Sequence, residues 1–200
     1  MGHGVLGYYT ALAEAGYFTH EFLVDSYASK DGPFCGHPCR DLDYGIEAST
    51  GSLGHGLSIG VGIALGAKLD KQSFDTYVLL GDGECNEGSV WEAVMLASQR
   101  HLDNLVVAVD RHHLQSRGLS REIIDKEPMD EKWRSFGWHV REIEGHSPWD
   151  LFEAFQRKTR PVGGHMWRLP TRRRAKVYCS SKTTTDGTIT RSLRRKLSRR

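Results

Sequence analysis

Thr76-Tyr77-Val78-Leu79-Leu80 runs into Gly81-Asp82-Gly83-Glu84, and Asn104 to Val109 runs into Asp110-Arg111-His112-His113-Leu114. Both runs are short, apolar and rich in β-formers, the composition of strands buried in a parallel sheet. Between them, Gly88 to Arg100 carries Val90, Trp91, Val94, Met95 and Leu96 at the spacing of one buried helical face. Strand, helix and strand in this order make a βαβ unit.

In such a sheet ligands gather beyond the carboxyl ends of the strands. Asp82 follows the first strand and Asp110 closes the second. Gly81 and Gly83 flank Asp82 and let the backbone turn sharply and approach a ligand closely. A hard cation takes oxygen ligands and shares them with phosphate oxygens. Asp82 supplies one such oxygen, and a main-chain carbonyl near Leu114 supplies another. The layout suits a metal-bound diphosphate held between two strand ends.

Outward from this unit the elements follow from periodicity and punctuation. Val5 to Ala15 reads as a helix stopped by Gly16, and Glu21 to Ala28 as a short helix. Lys30 to Thr50 is loop-rich, with Pro33 and Pro38. Leu53 to Leu69 is a helix rich in Gly and Ala, whose low propensity must be offset by close packing. Met129 to Phe136 is helical, Trp138 to Ile143 alternates like a strand, and Pro148 to Lys158 is an amphipathic helix. The expected fold class is α/β: three layers, a mostly parallel sheet with helices on both faces.

At this point the chain resembles the N-terminal, thiamine-diphosphate-binding (PP) section of the transketolase family. Gly81-Asp82-Gly83 is similar to the start of the family's metal and diphosphate motif. Glu87-Gly88, Glu92-Ala93 and Leu114-Gln115-Ser116 with Gly118 fit the surrounding pattern. Ser49-Thr50-Gly51-Ser52-Leu53-Gly54-His55-Gly56 is similar to the family's cofactor loop, Gly36-His37-Pro38 to a substrate-side histidine motif, and Gly2-His3-Gly4 to another. The likeness covers roughly residues 2–158, with its motifs in family order.

The resemblance implies two-carbon transfer between a ketose and an aldose, with thiamine diphosphate and Mg²⁺ as cofactors. It implies metal binding by Asp82, by the residue at 112 and by the Leu114 carbonyl, and diphosphate contacts from Gly81, Asp82, Gly83 and His112. Gly51 and Leu53 would meet the aminopyrimidine side through main-chain atoms, and His37 and His3 would handle substrate oxygens. Glu87 and Glu92 correspond to glutamates at the dimer interface that help couple two active sites. At the centre stands one departure: the family has Asn where this chain has His112, and imidazole suits zinc, copper and nickel better than Mg²⁺. The expectation is a weakened metal site.

The glutamate that activates the aminopyrimidine belongs, in the family, to a second domain, encoded in some members as a separate chain. The likeness therefore implies a partner: a C-terminal, pyrimidine-binding transketolase subunit, in a dimer of heterodimers acting on sugars or sugar phosphates. The chain alone is expected to be inactive. Two other readings remain. One is a different thiamine-diphosphate enzyme, a dehydrogenase E1-like component or a sugar synthase, against which the Thr50-to-Gly56 loop argues. The other is nucleic-acid binding through a basic tail.

Several histidines have plainer explanations. Cys35, His37 and Cys39 crowd three potential ligands into five residues without a fourth, so zinc is not expected. His55 is as well explained as a loop residue. His101, His139 and His146 read as surface or packing groups. Glu87 also suits the positive end of a helix.

The net charge of +2 averages two unlike regions. Residues 1–156 hold 12 Lys and Arg against 24 Asp and Glu, a net of −12; residues 157–200 hold 15 basic residues and only Asp186, a net of +14. The expected organisation is a PP domain over 1–158 and a basic, disordered tail over 159–200. Read from the third base of permitted codons for Ala175 onward, the tail spells a run similar to the family's next segment, with Gly-Val and Glu-Asn. The expectation is a frame shift between Lys158 and Arg174, with the sheet losing its next strand, and a chain that also lacks the helical segment preceding Gly2-His3. Four cysteines make no disulfide framework, no apolar stretch is long enough to span a bilayer, and Met1 is followed at once by Gly-His-Gly. These point to a cytoplasmic protein.

Overall fold

The computed structural model describes residues 2–155 and 165–170. In chain order the elements are α1 (Val5–Glu14), α2 (His20–Ser26), α3 (His55–Leu69), β1 (Thr76–Gly81), α4 (Gly88–Gln99), β2 (Leu105–Arg111), β3 (Leu114–Gln115), β4 (Gly118–Leu119), α5 (Ser120–Ile123), α6 (Met129–Ser135), β5 (His139–Glu142), α7 (Pro148–Phe155) and β6 (His165–Pro170). The main sheet runs β1-β2-β6-β5, and every neighbouring pair is parallel. β3 and β4 form a small antiparallel hairpin beyond the carboxyl end of β2.

Alternation along β2 explains the layers. Leu105, Val107 and Val109 face a core built with Leu57, Val61 and Ala64 of α3, Val90, Val94 and Ala97 of α4, and Met129 and Trp133 of α6. Val106 and Ala108 face the other way, toward Ile143 and Ala154 of α7. The sheet thus has helices on both faces. A second cluster of Val5, Tyr9, Leu23, Phe34 and Ile46 packs α1 and α2 onto the loop that follows them. Thr19 caps α2 by accepting the Phe22 N–H at 3.1 Å.

The small residues of α3 do what their composition demands. A Cβ added at Gly60 would stand 2.3 Å from Cγ2 of Val78, so the helix lies directly on β1. Asn104 fixes the same helix from the start of β2 by donating Nδ2–H to the Ala64 carbonyl at 2.9 Å.

The expected loss of a strand after Lys158 is corrected. Residues 165–170 form β6, inserted between β2 and β5 with Val106 opposite His165 and His139 opposite His165 on the other side. Parallel pairing needs an extended backbone presenting its N–H and C=O groups, which the run His165-Met-Trp-Arg-Leu-Pro170 supplies inside an otherwise basic span. The strand falls inside the 159–200 span read as a tail. The rest of that span, with the frame-shift expectation for its basic residues, lies outside the described residues, as does the end of the expected 148–158 helix.

Candidate functional site

The two strand ends meet as the sequence implies. Gly81 pairs with Asp110, and the Asp82 N–H donates to the Asp110 carbonyl at 2.9 Å. This places the Asp82 side chain just beyond the sheet, 1% exposed. Its Oδ2 accepts from the Ser120 hydroxyl at 3.0 Å and stands 3.8 Å from Nζ of Lys126. Its Oδ1 is buried without a hydrogen-bond partner and faces Nδ1 of His112 at 3.6 Å.

His112 is held by its own backbone turn. His113 takes a left-handed conformation with φ of 58°, and the Leu114 N–H returns to His112 Nδ1 at 3.2 Å. A ring nitrogen that accepts this N–H carries a lone pair. That lone pair stands beside the orphaned Oδ1, and the ring would release the Leu114 N–H to share a cation with it. Burial pushes the Asp110 carboxyl above the usual carboxylate range; nearby His112 and His146 pull it down, while the negative charge of Asp82 adds to the rise. Burial likewise drives the neighbouring Cys85 thiol up to about 12.

The 49–56 loop is tied to this point by side chains from the Asp82 segment. Gly54 has φ of 80°, and a Cβ there would stand 2.6 Å from Cβ of Glu87. Its N–H donates to Glu84 Oε1 at 3.2 Å, and its carbonyl accepts from the Ser89 hydroxyl at 3.2 Å. Glu84 Oε2 accepts the Gly81 N–H at 3.3 Å. A Cβ on Gly83 would stand 2.8 Å from Cγ of Gln115, so the turn after Asp82 lies against the β3–β4 hairpin.

The other end of the loop meets the histidine motifs. The rings of His3 and His37 lie 5.1 Å apart, edge to face. Thr50 Oγ1 is 3.5 Å from His37 Nδ1, and Gly51 lies against the His37 ring. Gly2, Gly51 and the two histidines therefore form one patch, joined through residues 50–54 to Asp82 and His112. Leu53 is half exposed on the loop, and Glu92 is exposed on α4 away from the loop contacts of Glu87. Three residues carry no role in the sequence reading: Glu84, Ser120 and Lys126. Glu84 stands inside the Gly-Asp-Gly-Glu run, which is its signal; Ser120 and Lys126 stand in a segment with no pattern to single them out.

Residues 1–161 match the family model described as transketolase, thiamine diphosphate binding domain. The chain belongs to this family. Among its transketolase relatives, an apulose-4-phosphate transketolase subunit of Actinobacillus succinogenes is 43% identical across 80% of this chain and 59% of its own length. The 6-deoxy-6-sulfo-D-fructose transketolase subunit SqwG of a Clostridium species is 40% identical across 81% of this chain and 58% of its own. The crystal structure of transketolase from Campylobacter jejuni superposes with a TM-score of 0.76 at 27% identity, covering 84% of this chain and 28% of that one. The chain thus spans under three fifths of the length of the transketolase subunits it matches. Among the described residues no helix is long and apolar enough to cross a membrane.

A transketolase PP domain implies thiamine diphosphate with a divalent metal, and the residues present fit that group at its metal end. The fit rests on Asp82, a buried carboxylate with one orphaned oxygen at a strand end. Among the described residues no three His, Cys, Asp or Glu side chains converge as a metal cluster. A cation would therefore rest on Asp82, His112 and main-chain oxygen, shared with the diphosphate.

Proposed function

We propose that this chain is the cofactor-diphosphate-binding half of a split transketolase, transferring a two-carbon ketol unit from a ketose to an aldose with a C-terminal, pyrimidine-binding subunit. The reading is carried by the buried Asp82 carboxylate, whose orphaned Oδ1 opens toward His112 beyond the end of β1. The names of the relatives support the split: two of them are single subunits of transketolases.

In this reading thiamine diphosphate, when bound, supplies an electron sink for the donor's reacting carbon. The protein supplies position and charge. Asp82, the Leu114 carbonyl and His112 would hold Mg²⁺, and the main chain at Gly81 and Gly83 would serve the diphosphate. Gly51 and Leu53 offer main-chain atoms to the aminopyrimidine side. His37, steadied by Thr50, and His3, set edge to face against His37, hold or move a proton at the substrate's hydroxyl and carbonyl oxygens. Glu87 and Glu92 lie toward the partner surface, with Glu87 also bracing Gly54.

The location proposed is cytoplasmic and the assembly a dimer of heterodimers. The test is calorimetric titration of the chain, mixed with a C-terminal transketolase subunit, with thiamine diphosphate and Mg²⁺. Saturable uptake that Asp82→Ala abolishes supports the reading, and ketol transfer should need both subunits. Absence of uptake in a mixture whose subunits associate overturns it.

A further inference from the structure

Lys126 lies between α5 and α6 and is 7% exposed. Its Nζ is buried without a hydrogen-bond partner, 3.8 Å from Asp82 Oδ2. The neighbouring elements tighten rather than open this corner: Lys132 donates to the Lys126 carbonyl at 2.9 Å, and the Ser120 hydroxyl occupies the same Oδ2 from α5. A buried ammonium is costly unless a counter-charge stands beside it, and Asp82 is that counter-charge. His112 faces the other oxygen of the same carboxylate. One oxygen of the carboxylate thus has a cationic partner built into the chain, and the other is left for an ion.

We propose that Lys126 is a built-in counter-cation of Asp82, which orders the carboxylate when no metal is bound and weakens the hold of Oδ1 on a free divalent ion. The inference rests on the reading of Asp82 as a cation anchor. The ammonium does not occupy the ion's position; its charge lowers the negative potential there, and burial keeps water from screening the effect. A divalent ion alone then meets a less negative site. A diphosphate brings the missing negative charge with it, so the ion and the diphosphate bind together far better than the ion does alone. Lys126 makes the site selective for a metal–diphosphate pair.

The experiment uses the full chain and two readouts. The first is a double-mutant cycle of Lys126→Met and Asp82→Asn by thermal unfolding in chelator. Lys126→Met should lower the melting temperature when Asp82 is present and lose that effect in the Asp82→Asn background; additive shifts overturn the inference. The second is Mn²⁺ binding by electron paramagnetic resonance, with and without inorganic pyrophosphate. Lys126→Met should tighten binding of Mn²⁺ alone about tenfold, shrink the gain from pyrophosphate, and be matched by Lys126→Gln, while Lys126→Arg stays like the wild type. Equal Mn²⁺ affinity in wild type and both neutral variants overturns the inference while leaving Asp82 as the anchor. Absence of Mn²⁺ uptake in all of them, with or without pyrophosphate, overturns the anchor reading itself and the competition with it. Should Lys126→Met fail to fold, the Gln and Arg pair decides the matter.

Discussion

Glu84 joins Gly54 to the end of β1: its Oε1 accepts the Gly54 N–H at 3.2 Å while its Oε2 accepts the Gly81 N–H at 3.3 Å. One buried carboxylate therefore sets the distance between the 49–56 loop and the turn that carries Asp82. Charge-assisted hydrogen bonds of this kind are each worth about 1.5–3 kcal/mol. Glu84→Ala leaves two buried N–H groups unsatisfied and should destabilise the chain by about 3 kcal/mol. Glu84→Gln keeps one acceptor and should cost about half as much. Urea unfolding measures both. In the reconstituted pair the Ala variant should also weaken thiamine diphosphate binding; an unchanged midpoint and affinity would show that the loop is held by other means.

Gly60 gives a sharper packing test. Alanine normally improves a helix interior by about 1 kcal/mol over glycine. Here the new methyl would meet Cγ2 of Val78 at 2.3 Å, and a β-branched side chain has little freedom to move away. Gly60→Ala should therefore destabilise the chain by about 1–2 kcal/mol net, the overpacking cost exceeding the propensity gain. The pair Gly60→Ala with Val78→Ala should recover part of the loss. A stabilised single variant would mean that α3 can lift from the sheet without penalty.

What the sequence disclosed and what it hid divide along physical lines. The strand at 105–111 was legible because its apolar run is buried on both faces, the strand at 76–81 because its run is apolar and β-rich although Tyr77 and Leu79 stay exposed, and the packing role of the α3 glycines because composition conflicted with propensity. The approach of His112 to Asp82 followed from two strand ends in register. β6 was not legible, since its basic surroundings argued for a tail. Glu84 and Lys126 were hidden for another reason: a single charged residue in a loop acquires its partner only when distant segments fold together. The hairpin at 114–119 is too short for any period to register.

Asp110 connects the site to pH. Burial raises its carboxyl, His112 and His146 oppose the rise, and Asp82 adds to it. A raised carboxyl binds its proton more tightly in the folded chain than in the unfolded one, so its contribution favours folding at low pH and is lost as pH rises through the folded value. At neutral pH the ionised side chain weighs against the fold. Asp110→Asn mimics the protonated group and should raise the melting temperature at pH 7 relative to wild type. The advantage should shrink as the solution is acidified and the wild-type carboxyl also gains its proton. A difference that stays constant on acidification would place the effect in packing rather than in charge.

His112 determines which ion the site prefers. Its Nδ1 lies 3.6 Å from the orphaned Oδ1 of Asp82 and already accepts the Leu114 N–H at 3.2 Å. An imidazole nitrogen is a softer donor than a carboxamide oxygen and favours zinc over Mg²⁺. His112→Asn replaces it with an oxygen ligand of shorter reach, which can still accept the Leu114 N–H. The substitution should strengthen Mg²⁺ binding relative to Zn²⁺ by about tenfold, read by competitive titration of the chain with each ion in the presence of pyrophosphate. An unchanged ratio of the two affinities would mean that the His112 ring is not a ligand and that Asp82 and main-chain oxygen hold the ion by themselves.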